Sequence, residues 1–92
     1  MAQVCVKIDG TSNARDLNEL LNWFGNKSIL KEKDVVCADF SSIDDFEHKV
    51  EQMLIGAEND LRETRNDSSA QSEYAHRRRV FEVALNDIRK LK

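Results

Sequence analysis

Ninety-two residues, 40% of them apolar, supply one compact core and not two. Fourteen Lys and Arg against seventeen Asp and Glu give a net charge of −3, which excludes a protein that coats nucleic acid through a cationic excess. Two cysteines exclude a disulfide-dense scaffold, and no apolar run approaches the roughly 18 residues of a membrane span. The opening stretch MAQVCVKIDG does not read as a signal peptide, and the absence of proline with only three glycines leaves little room for linkers. The expectation is a small cytoplasmic domain.

Val4, Val6 and Ile8 alternate with Cys5 and Lys7, the period of a strand, which ends at the turn pair Asp9-Gly10. Ser12 or Asn13 is positioned to cap a helix with Asp16 in its first turn. Leu17, Leu20, Leu21 and Phe24 then make one apolar helical face, stopped at Gly25-Asn26. Ile29-Leu30 and Asp34 to Phe40 read as two strands joined by a turn around Lys31-Glu32-Lys33. The near-continuously apolar VVCADF is the central one.

Ser41-Ser42 caps a long helix, with Asp44 and Asp45 in its first turn and Ile43, Phe46, Val50, Met53, Leu54, Ala57 and Leu61 at helical spacing. Asn66-Asp67-Ser68-Ser69 breaks it, with Ser68 or Ser69 capping a final helix that carries Tyr74, Phe81, Ala84, Leu85, Ile88 and Leu91. Helices joined by so short a break fold back as an antiparallel hairpin. No proline or glycine enforces the bend, so one continuous helix from Ile43 to Leu91 is the alternative. The expected fold is α+β in the order β-α-β-β-α-α. Residues 1–92 would form a single domain, with a three-stranded sheet half at 1–40 packed against helices and a helical hairpin at 41–92.

The spacings of Cys5, Cys37, His48 and His76 match no zinc pattern. Neighbouring strands would bring the two cysteines together, but the favoured reading is a pair of small apolar thiols in a reducing compartment. Asp39, Asp44 and Asp45 gather where a divalent ion could bind and also where the helix dipole alone favours acid. Glu47-His48-Lys49 spells a nuclease-like Glu-x-Lys but lies on a helix, and there is no glycine-rich phosphate loop or nucleophilic triad. The sequence predicts no enzyme, cofactor or metal.

Charge is unevenly placed. Residues 1–60 hold six basic and twelve acidic side chains, residues 61–92 eight basic and five acidic. Arg77-Arg78-Arg79 fans across about 200° of a helix, which sends Arg77 toward the apolar arc and an ion pair or snorkelling contact across the hairpin. Arg78, Arg79, Arg89 and Lys90 remain as candidate phosphate or acidic-partner contacts. On the preceding helix Asp44, Glu47, Glu51 and Glu58 fall within about 60°, with Ile55 projecting from inside this acidic stripe. Carboxylates that steer and an apolar side chain that anchors make a partner-binding surface, although a solvated helix face with one stray Ile fits the same pattern. Trp23, at the edge of the first helix's apolar face, reads as a peripheral core residue ahead of an anchor.

These features favour a small acidic, non-enzymatic protein-binding regulator. Its expected partner is a larger protein or nucleoprotein complex that handles nucleic acid, because basic surfaces open to acidic proteins belong above all to such complexes. In size, acidity and lack of catalytic residues the chain resembles in kind the small inhibitors that phages encode against host defences, anti-CRISPR proteins among them. That resemblance implies a regulatory, inhibitory role and transfers no site residues. The alternatives are a small RNA- or DNA-binding regulator using the basic C-terminal helix, and a dimerisation or adaptor module using leftover apolar residues such as Ile55 and Val83. Both a monomer and a homodimer fit.

Overall fold

The computed structural model describes residues 3–92. Strand β1 (Gln3–Lys7) leads through Asp9-Gly10 into helix α1 (Thr11–Trp23), followed by strands β2 (Ser28–Leu30) and β3 (Val35–Asp39) and helices α2 (Ile43–Glu63) and α3 (Ser68–Lys90). The strands form an antiparallel sheet in the order β1-β3-β2, so the most apolar strand is central. The fold is α+β, a three-stranded sheet with a C-terminal helical pair.

Register assigns each sheet face. Val6 opposite Val36 and Val4 opposite Ala38 point to the helices, while Cys5, Cys37 and Ile29 form one row on the other face. Cys5 and Cys37, directly opposite with Cα atoms 4.0 Å apart, are joined in a disulfide. This corrects the expectation of two free thiols. Spacing in sequence does not reveal that a long-range register sets the two side chains face to face. Closing a loop across 32 positions stabilises the folded chain by about 3–4 kcal/mol on the chain-entropy account.

Helix α1 begins earlier than its polar residues suggest. Gly10 is the N-cap at φ +93°, a conformation that favours glycine, and no side chain caps the helix, so neither Ser12 nor Asn13 has that role and Asp16 lies beyond the first turn. The Asn13 amide instead donates to the Asp9 carbonyl. The C-terminus ends as the glycine predicts. Gly25 at φ +88° donates to the Asn22 carbonyl and Asn26 to the Leu21 carbonyl at 2.8 Å, the paired bonds of a Schellman motif. Ser28, buried in β2, donates to Asn18 and accepts from Asn22, tying the short edge strand to α1.

At α2 the Ser42 hydroxyl accepts from Asp45 N–H, while the Asp45 carboxylate accepts from Ser41 N–H. The chain does turn between α2 and α3. Thr64 closes α2, and Asp67, one residue before the expected serines, caps α3 by accepting from Ala70 N–H. Gln71 donates to the Leu61 carbonyl and to the Thr64 hydroxyl, stitching the turn.

The core joins Val6, Ile8, Leu17, Leu21, Val36 and Ala38 to Phe46 and Val50 of α2 and Val80, Phe81, Ala84 and Ile88 of α3. Helix α3 packs on α1, α2 and β1. Two of its residues escape the sequence reading: Val80 is fully buried, and the nearly buried Asp87 accepts the Asp9 N–H at 2.7 Å. Conversely Leu91, read as apolar face, is exposed, and Val83, read as left over, packs against the core. The molecule is 41 Å long and 23–24 Å across, because helices of 21 and 23 residues overhang the three-stranded sheet.

Candidate functional site

The outward face of α2 carries the acidic stripe, and the antiparallel hairpin lays the end of α3 beside its start. Arg89 donates through Nε to Glu47 and through Nη2 to Glu51, both at 3.0 Å. Lys92 Nζ lies 2.5 Å from Asp44 and 2.6 Å from Glu47. Hydrogen bonds from Lys92 and then Arg89 hold the Glu47 carboxyl below the usual glutamate range. Bonds to Asp44 and then Glu47 hold Lys92 above the usual lysine range. Acidic stripe and basic C-terminus, read in sequence as two surfaces, therefore meet and largely neutralise each other at one end of the molecule.

The stripe is thereby divided. Asp44, Glu47 and Glu51 share two cations, whereas among the described residues no cation lies within salt-bridge distance of Glu58. Ile55 lies one turn from Glu51 and from Glu58 and is 49% exposed, at the centre of the helix face away from α3 and the sheet. An Ile at this position contributes nothing to the core and keeps apolar area in water.

The basic residues also separate. Arg89 is committed to α2, and Lys90 lies 3.4 Å from Asp87 with most of its side chain in solvent. Arg78 and Arg79 are exposed, line an open recess with Ala75 and Glu82, and have no carboxylate in salt-bridge range among the described residues. About 15 Å of helix rise separates Arg79 from Arg89, so the four do not form one cationic patch.

Arg77 lies within the structure as its helical angle implies, but it turns toward α1. It pairs with Glu73 on its own helix, and its guanidinium sits 4.7 Å from the Trp23 ring centre and 5.2 Å from that of Tyr74. Trp23 itself is 66% exposed, correcting its reading as a peripheral core residue. It is the last residue of α1, just before the Schellman turn, where the Phe24 ring meets it edge-on with centres 4.7 Å apart and the Arg77 guanidinium covers part of it.

Around Trp23 the structure forms a groove of about 340 Å³ that sequence reasoning missed. Helix α1 contributes Asp16, Glu19, Leu20 and Trp23, and α3 contributes Glu73, His76 and Arg77. His76 Nε2 lies 3.1 Å from Asp16 across the gap. Each set recurs at three- and four-residue spacing, so both faces were legible singly. Their juxtaposition depends on how α1 and α3 cross.

Asp39, Asp44 and Asp45 do not converge, since Asp45 bonds the α2 cap and Asp44 pairs with Lys92. Among the described residues no group of His, Cys, Asp and Glu side chains is arranged to hold a metal ion, and no helix is long and apolar enough to cross a membrane. Comparison with protein families, curated proteins and solved structures finds no match to this chain.

Proposed function

We propose that this protein is a non-enzymatic regulator that docks through the outward face of α2 on a basic surface of a larger nucleic-acid-handling protein complex. It would act as an inhibitor of the kind that phages direct against host defences. The observation carrying this reading is Ile55, half-exposed on the stripe between Glu51 and Glu58. An apolar anchor with carboxylates on either side suits a cationic partner surface with an apolar pocket at its centre. Arg89 and Lys92 already occupy the lower stripe, so the contact centres on Ile55 and Glu58 and extends downward only where a partner's cations displace these two.

The test is capture of the partner complex from host lysate by the intact protein and by surface variants, with and without nuclease. Ile55→Ser and Glu58→Lys are expected to reduce capture at least tenfold each, while Arg78→Ala/Arg79→Ala leaves it intact and nuclease has no effect. Capture that survives both α2 changes overturns the reading.

One observation favours a second reading, a small RNA- or DNA-binding regulator: the exposed Arg78 and Arg79 lack carboxylate partners among the described residues. In that case binding to a bare oligonucleotide is lost in Arg78→Ala/Arg79→Ala and falls steeply with salt.

A further inference from the structure

We propose that the groove between α1 and α3 is a second binding site, one that takes an arginine-bearing segment of a partner protein. The inference concerns a different surface from α2 and stands without the reading proposed for it. Three observations converge on a guanidinium as occupant.

The first is the wall. Trp23, the single tryptophan of the chain, leaves 66% of its surface in water beside Leu20 along a 340 Å³ groove. A long aliphatic stem laid over these two side chains removes apolar area from solvent. The second is charge. Asp16, Glu19 and Glu73 outnumber Arg77, leaving the groove two charges negative when His76 is neutral. That balance repels phosphate and attracts a cation. The third is a contact inside the molecule that already displays the chemistry. Arg77 places its guanidinium over the Trp23 and Tyr74 rings while donating to Glu73. An incoming arginine stacked on the solvent side of Trp23 and donating to Glu19 repeats that arrangement one position outward. The planar fork of arginine suits it to stacking and carboxylate pairing together, which the point charge of lysine does less well.

The lone tryptophan makes the site readable in the intact protein. The probe is a short capped peptide alternating arginine and glycine, and the control is the same peptide with neutral citrulline in place of arginine. Titration at about 0.1 M salt, near a 10 Å screening length, is expected to give a saturable change in Trp23 emission with the arginine peptide and none with citrulline. Glu19 is exposed and makes no ion pair among the described residues, so Glu19→Lys preserves the fold. It should weaken the arginine peptide about tenfold, with Glu19→Gln intermediate. Glu58→Lys, on the outward face of α2, should leave this titration unchanged while reducing partner capture at least tenfold, which separates the two surfaces. The proposal is overturned by an absent or unsaturable response, by an equal response to citrulline, or by Glu58→Lys weakening the peptide as much as Glu19→Lys.

Discussion

At the base of the helical hairpin Phe46, Val50, Phe81, Ala84 and Ile88 are fully buried, whereas from Glu58 to Arg79 no residue is fully buried. The same two helices run through both regions, so helix formation alone does not distinguish them. At the base, helical structure is held by the sheet, by α1 and by the Asp87 bond to the Asp9 backbone. At the tip it rests on the capping and turn bonds of Asp67, Gln71 and Thr64 and on the contacts of His76 with Asp16 and of Arg77 with Trp23. The contrast teaches where surface chemistry can be placed. Exposed residues at the tip can change at little packing cost, and Arg78 and Arg79 stand there without carboxylate partners among the described residues.

Truncation should expose the difference most strongly. Phe81→Ala, which opens a cavity beneath α1 and α2, is expected to lower unfolding free energy by about 3–5 kcal/mol in a urea titration, against about 1 kcal/mol or less for Tyr74→Ala at the tip. Equal losses would show that the tip is packed as the base is. A smaller effect tests the polar clamp. Asp87→Ala removes an acceptor from the Asp9 N–H and should cost about 1.5–3 kcal/mol. Asp87→Asn should recover part of it, and no loss would detach the β1–α1 turn from the stability of the base.

The smallest effect is the pH response of the junction between α2 and the end of α3. Glu47 is held low, so its contribution is present above the ordinary glutamate range and disappears as pH falls through its lowered value. Lys92 is held high, so its contribution is present below the ordinary lysine range and disappears as pH rises through its raised value. Lys92 is exposed and Glu47 half-buried at the surface, where solvent still screens the pair, so loosening should be confined to the last turn of α3. Protection of the amides of residues 86–92, taken relative to the intrinsic exchange rate at each pH, should fall at both extremes. A flat profile would show that these pairs do not hold the helix end.

Local periodicity made most of the fold legible. The order of elements, the central place of VVCADF and the stop at Gly25 follow from side-chain spacing and turn chemistry. What stayed hidden depends on pairing across distance. The sequence places Arg89 and Lys92 on one helix and Glu47 and Glu51 on another. Only the antiparallel overlap of two helices of nearly equal length brings them together. Val80 and Asp87 lie just outside the arc marked by Phe81, Ala84 and Ile88, and their burial depends on neighbours distant in sequence, such as the Asp9 backbone that meets Asp87. The Trp23 groove belongs to neither helix alone, and the Cys5–Cys37 bond follows from strand register.

That bond divides the chain in a way the fold by itself does not. The whole of α1, β2 and the Lys31–Asp34 turn lies inside a covalent ring, and α2 and α3 lie outside it as a tail. Lys31 and Lys33 are exposed in the turn, where a protease specific for lysine can reach the backbone. A nick there leaves both fragments joined across β1 and β3, migrating as one species until a reductant is added. A nick beside the exposed Arg65, at the far turn, leaves no covalent tie between the pieces, and α3 is then held by non-covalent contacts alone.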